Sequence, residues 1–104
     1  MDRINRIGRN GIEIYGTIRD MNEITQIKDQ IEALKLGEGE ILNISIRGSF
    51  AMPSALIGYL LKLVEQQKID LSLTVDDEML AELLEDLNLQ KVFNLRYRPS
   101  TIPA

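Results

Sequence analysis

The 104-residue chain contains no cysteine, no histidine and no tryptophan. Without cysteine it can form no disulfide, no thiolate metal site and no cysteine nucleophile. Without histidine it lacks the commonest general base near neutral pH and the commonest metal ligand. No other nucleophile has a base beside it, and no glycine-rich phosphate loop is present. The sequence therefore predicts a protein that is not an enzyme and has no catalytic residues, no metal site and no cofactor.

Aromatic residues and positive charge are also scarce. Two phenylalanines and three tyrosines are too few to form a stacking platform for single-stranded nucleic acid, and a net charge of -4 disfavours contact with phosphate backbones. We therefore expect no nucleic-acid partner. No apolar run is long enough to span a membrane, and the opening residues lack the apolar region of a signal peptide. The expected location is the cytoplasm, for a protein that does not span a membrane.

The composition that remains is typical of one globular domain, with 44% hydrophobic and 27% charged residues. We expect this domain to cover residues 1–98. Residues 99–104 contain two prolines and are predicted to be an irregular C-terminal tail.

Strand and helix patterns alternate along the chain. The first predicted helix begins at the capping-box pair Asp20 and Glu23 and ends at Gly37. The second begins at Pro53, and the third places Leu80, Leu83, Leu84 and Leu87 on one apolar stripe. Strands are predicted at residues 3–7, 11–18, 40–46, 69–75 and 92–97, the first two as a hairpin.

The predicted strands alternate between apolar and polar residues, whereas strands covered by helices on both faces are usually apolar throughout. In residues 11–18, for example, Ile12 and Ile14 point to one side while Tyr15 and Thr17 point to the other. We therefore expect an α/β fold with a mostly parallel sheet, an N-terminal hairpin, and helices mainly on one face of the sheet. The other face is left to solvent or to a partner.

Several segments resemble the STAS domain, the fold of anti-sigma factor antagonists and of sulfate-transporter tails. The similarity covers roughly residues 10–97 and rests on IEIYGTIRDMNEITQIKDQIEAL, ILNISI, RGSFAM, PSALIGYLLKL and LSLTVDDEMLAELLEDLNLQKVFNL. It implies a STAS-like strand-helix superhelix in a bacterial protein. Many members have a further helix after the last strand, and this chain lacks that pattern.

The resemblance also implies a regulatory site. In the family, a partner kinase phosphorylates a serine at the start of the helix after the third strand, and this phosphorylation switches binding off. Ser54 aligns with that serine and Gly58 with a glycine of the same helix, while Pro53 stands where the family has aspartate. An anti-sigma-type kinase is therefore the partner that the resemblance implies.

Residue chemistry gives Ser54 two interpretations. Serine is a preferred residue at helix starts, where it can satisfy free backbone N–H groups, and this structural interpretation is the favoured one. A phosphate there would instead add about two negative charges to an exposed face. Ser45 and Ser49 are weaker alternatives for modification. The helical wheel places Ala55, Gly58, Tyr59 and Lys62 beside Ser54, and these five residues form the predicted docking site for a protein partner.

Three hypotheses for function remain open. The leading one is a small regulator that associates reversibly with a protein partner. The second is a structural subunit whose sheet face or edges form a homodimer, a larger oligomer or a scaffold. The third is a carrier of a nucleotide or lipid, as the resemblance allows. Gly58 has two explanations, because a glycine inside a helix permits close approach either of a neighbouring strand or of a partner.

Overall fold

Strands and helices alternate in the computed structural model, which describes residues 4–99. Within these residues the strands are β1 (Ile4–Ile7), β2 (Gly11–Tyr15), β3 (Ile41–Arg47), β4 (Asp70–Val75) and β5 (Arg96–Tyr97). The helices are α1 (Met21–Ala33), α2 (Ser54–Glu65) and α3 (Glu78–Asp86). The chain is thus an α/β protein, and its radius of gyration of 13.0 Å is that of a compact domain of this length.

The strands form a single mixed sheet in the order β1-β2-β3-β4-β5. β1 pairs with β2 in antiparallel orientation, so the predicted hairpin is confirmed, and each later strand is parallel to its neighbour. Each of the three helices connects two adjacent parallel strands. The carboxyl ends of β2, β3, β4 and β5 therefore lie along one edge, which we call the carboxyl edge.

Within residues 4–99, one face of the sheet is buried by helices and the other is not, as the alternating pattern predicts. Apolar side chains of the three central strands pack with those of the helices into one core, whose strand members are Ile12, Ile14, Leu42, Ile44, Ile46, Leu71, Leu73 and Val75. The intervening side chains face away from the helices. Tyr15 is 41% exposed and Thr17 is half-buried, whereas Ile12 and Ile14 are each 1% exposed. We call the uncovered side the open face.

The start of α1 agrees with the predicted capping box. The Asp20 carboxylate accepts the Glu23 N–H at 2.9 Å, and the Glu23 carboxylate reaches back to accept the N–H of Arg19 at 2.9 Å. The predicted stop at Gly37 is wrong. The helix ends four residues earlier, and Lys35 takes the left-handed conformation with φ of 51°.

The predicted apolar stripe of α3 is only half buried. Leu80 and Leu84 are fully buried, but Leu83 and Leu87 are 38% and 48% exposed. A helix of nine residues packed on the sheet buries only its central row, so residues on the flanks stay in solvent. The predicted stripe is therefore only partly a core-facing stripe.

The last predicted strand, residues 92–97, is also shorter than expected. β5 contains only Arg96 and Tyr97, because the chain before it forms a turn in which the Leu95 N–H bonds to the Gln90 carbonyl at 2.8 Å. Asn94 closes this turn with φ of 49°, and its side-chain amide donates to the Leu71 carbonyl at 2.6 Å. The predicted tail at 99–104 lies outside the described residues except for its first residue.

Candidate functional site

α2 starts without the side-chain cap that the other two helices have. Asp20 and Asp77 each accept a backbone N–H at the start of α1 and α3, whereas Pro53 at the start of α2 makes no such bond. Ser54 is the first helical residue rather than the cap. Its exposed hydroxyl bonds to no other described residue. The capping interpretation of Ser54 is therefore wrong, and the hydroxyl is accessible from solvent.

Four of the five predicted docking residues share the outward side of α2. Ser54, Ala55, Gly58 and Lys62 are all exposed, and we call them the α2 surface. A Cβ atom placed on Gly58 would have no heavy atom of another described element within 4 Å. Close approach of a neighbouring strand therefore does not explain this glycine.

Tyr59, the fifth predicted residue, lies on a different side of α2, facing α1. The ammonium group of Lys28 is 5.1 Å from the centre of its ring, and its hydroxyl is buried with no hydrogen-bond partner among the described residues. Burial, with a smaller effect of the carboxylates of Glu32 and Asp29, raises the pKa of Tyr59 to about 12. The ring borders a cavity of about 140 Å³ between the two helices. Tyr59 therefore contributes to packing rather than to the exposed docking surface.

The loop before α2 is fixed to both neighbouring loops. The fully buried Ser49 hydroxyl donates to the Ala51 carbonyl at 2.7 Å and accepts the Ile18 N–H at 3.4 Å. The Gly48 N–H donates to the Asp76 carboxylate at 2.9 Å. These bonds hold the start of α2 in place. They also rule out Ser49 as an accessible modification site, while Ser45 is half-buried on the open face.

Exposed apolar side chains gather at the carboxyl edge. Five side chains that the topology brings to this edge are large, apolar and exposed by more than 40%, namely Tyr15, Met21, Phe50, Met79 and Tyr97. They end a strand, begin a helix or lie in the loop before α2. In open α/β sheets the carboxyl ends of the strands are the usual place for binding. No sequence pattern indicates this set, because its members are far apart in the chain and share no periodicity.

An ion pair orders one part of the open face. Arg47 Nε is 3.0 Å from Glu13 Oε2, and the Tyr15 hydroxyl donates to the other oxygen of the same carboxylate. This hydrogen bond raises the pKa of Tyr15. The three side chains therefore hold one another at the carboxyl edge, with the Tyr15 ring exposed.

Other kinds of site find no support within residues 4–99. No group of three acidic side chains is placed to hold a metal ion, and none of the helices is long and apolar enough to cross a membrane. No family model, no curated protein and no solved structure matches the chain. The surface around the start of α2 is the best candidate site that the geometry provides.

Proposed function

We propose that the chain is a non-catalytic regulatory module that associates reversibly with a protein partner, in the manner of anti-sigma factor antagonists of the STAS family. The observation that carries the proposal is the surface at the start of α2. The start of α2 exposes a serine, a glycine with open space above it and, in the preceding loop, the apolar side chain of Phe50 as a shallow patch. Such a patch suits a protein partner better than a small molecule, which needs a concave pocket.

Phosphorylation of Ser54 is the proposed switch. A phosphate would add about two negative charges at the first helical residue, where the helix dipole and free N–H groups stabilise an anion. The modified protein should therefore stay folded. The same charge on the α2 surface would weaken the binding of a partner that makes apolar contacts there. Phosphorylation should therefore reduce binding without unfolding the protein.

The test is Ser54→Asp, with Gly58→Arg as a second variant of the same surface. Thr25→Asp is the matched control, because Thr25 is exposed on α1 and the substitution adds the same charge. We expect all three variants to show the wild-type circular dichroism spectrum. Affinity capture from a lysate of the source organism, with quantitative mass spectrometry, should recover a partner with the wild type and Thr25→Asp. Ser54→Asp and Gly58→Arg should both lose it.

Two results would contradict this proposal. If folded Ser54→Asp and Gly58→Arg capture the same proteins as the wild type, then the α2 surface is not the binding site. If only Gly58→Arg loses the partner, the surface binds but Ser54 is not a switch. Intact-protein mass spectrometry after incubation with the lysate and ATP tests separately whether Ser54 accepts a phosphate.

A second candidate is a structural subunit that assembles through the open face. Ile41 on β3 is 49% exposed on this face, and Ile7 on the hairpin strand β1 is 50% exposed. Light scattering of the wild type measures the assembly, and Ile41→Asp should dissociate it, because a symmetric contact would place the new charge against its own copy. A monomeric wild type would exclude this candidate.

A further inference from the structure

α3 carries a second apolar stripe that the domain does not bury. Met79, Leu83 and Leu87 are 67%, 38% and 48% exposed and are spaced four residues apart, so they form one row along the helix. The core row of the same helix is formed by Leu80, Ala81 and Leu84. We call the exposed row the α3 stripe. Scattered exposed apolar residues are ordinary on a protein surface, whereas a continuous row indicates an interaction surface.

The α3 stripe faces α2. Leu60 is the central one of the three buried residues of α2, and the residue before it, Tyr59, contacts the preceding helix through Lys28. α3 runs in the same direction on the same face of the sheet, and one of its three buried residues, Leu84, is preceded by Leu83. Because both helices lie on the sheet in the same orientation, a residue that directly precedes a central buried residue points towards the preceding helix. Leu83 therefore points towards α2. The half-buried residues Ile57, Leu61 and Val64 lie on the opposite side of α2 from Tyr59 and therefore face α3. On this geometry the two rows would line an apolar groove between the helices.

Acidic residues border this groove. Glu78, Glu82 and Asp86 each precede a residue of the α3 stripe and therefore form a parallel row on its solvent side. Glu65 adds a further exposed carboxylate at the end of α2. A second copy of the chain would bring its own acidic row to the same place, and the like charges would repel. A basic partner would meet opposite charge along the whole length of the stripe.

We propose that this groove binds a basic amphipathic helix of another protein. Leucine-type side chains of that helix, spaced three and four residues apart, would insert between the two apolar rows, as in helix-in-groove recognition. Its lysine or arginine side chains would pair with the acidic row. This inference rests on the α3 stripe and its charges, and it does not depend on Ser54 or on the switch proposed above.

The test uses a designed helical peptide of about 18 residues, long enough to span the groove. One face of the peptide carries leucines and the other carries lysines, with fluorescein at the N-terminus for anisotropy measurements. Two control peptides replace the lysines by glutamates or scramble the order of leucines and lysines. We expect the protein to bind the first peptide at least roughly tenfold more tightly than either control, because only the first matches both the apolar row and the charge.

Variants of the protein locate the binding. Leu83→Gln should weaken the first peptide roughly tenfold or more, and Asp86→Lys should weaken it at low salt. The matched controls are Ala33→Gln, which replaces an exposed apolar residue of α1, and Asp29→Lys, which makes the same charge change on α1. Both should bind within about twofold of the wild type. Circular dichroism verifies that each variant is folded.

Four outcomes would overturn the proposal. Equal binding of the ordered and scrambled peptides would show attraction by charge alone. Amide chemical-shift changes confined to residues outside α2 and α3 on addition of the peptide would place binding elsewhere. A wild-type dimer in light scattering that Leu83→Gln dissociates would show that a second copy occupies the groove. A tenfold gain in peptide binding after removal of residues 100–104 would identify the chain's own end as the occupant.

Discussion

Gly58→Ala tests directly whether the fold or a partner requires this glycine. Gly58 lies inside α2, is exposed, and has open space where a Cβ atom would be placed. Glycine in a helix interior is less favourable than alanine by about 0.5–1 kcal/mol, because it loses more backbone freedom on folding. Since the added methyl group contacts no other element, Gly58→Ala should increase the free energy of unfolding by nearly the whole of this difference.

The expected result is a more stable protein. A gain of 1 kcal/mol raises the midpoint of thermal unfolding by about 4–8 °C for a domain of 60–100 residues, so a shift of a few degrees upward is predicted for Gly58→Ala. The measurement is thermal unfolding followed by circular dichroism, with urea unfolding at 25 °C as an independent determination. Ala55→Gly, one turn earlier on the same exposed side, is the matched control and should lower the midpoint by a similar amount.

The opposite sign would refute the reasoning. If Gly58→Ala destabilises the protein, then something in the fold occupies the space above Gly58 and the α2 surface is not open. If the variant is stabilised and still binds the captured partner as tightly as the wild type, then the glycine is not kept for close approach of that partner. Stabilisation combined with weaker binding is the result that we expect.

Three further predictions follow from the described contacts. Tyr59→Phe should be neutral or stabilising at neutral pH, because it removes a buried hydroxyl without a partner among the described residues; the wild type should lose more stability than the variant as the pH rises from 10, where the unfolded tyrosine ionises, to about 12, where the folded Tyr59 does. Leu84→Ala should cost about 2–5 kcal/mol and Leu83→Ala less than half of that, as measured by urea unfolding. Asn94→Ala should cost about 1–3 kcal/mol in the same assay, because it removes a hydrogen bond and places alanine at positive φ.

Burial of one face of the sheet could be predicted from the sequence, because apolar residues at every second position of a strand lie on the same, buried face. Ile12 and Ile14 alternate with Glu13 and Tyr15 in the sequence, and the same alternation is found in their burial. The hairpin could be predicted for a similar reason, because turn residues stood between two strand patterns. These features depend on neighbours in the chain, which the sequence displays directly.

The parts that were wrong depend on contacts between distant residues. Leu83 and Leu84 are chemically identical, and only the position of the sheet decides that one is 38% exposed and the other is buried. Tyr59 lies on the border of the wheel, and the contact with Lys28 on another helix decides which side it takes. The turn before β5 depends on Asn94, whose amide bonds to a strand more than 20 residues earlier. Helical periodicity locates an apolar stripe to within about one residue, so it cannot predict whether a residue at the edge of the stripe is buried or exposed.

Several features of α2 and α3 reduce stability or leave apolar side chains exposed, and α1 has fewer of them. α1 has its N-cap bond, and its side towards α2 is closed by the contact of Lys28 with Tyr59. α2 has no cap bond and contains a glycine without an internal role, the loop before it exposes Phe50, and the α3 stripe is unburied. A chain selected for stability alone would replace such residues at little cost. If this side binds a partner, as proposed above, the bound partner should protect the amides of the first turn of α2 from hydrogen exchange more than those of α1.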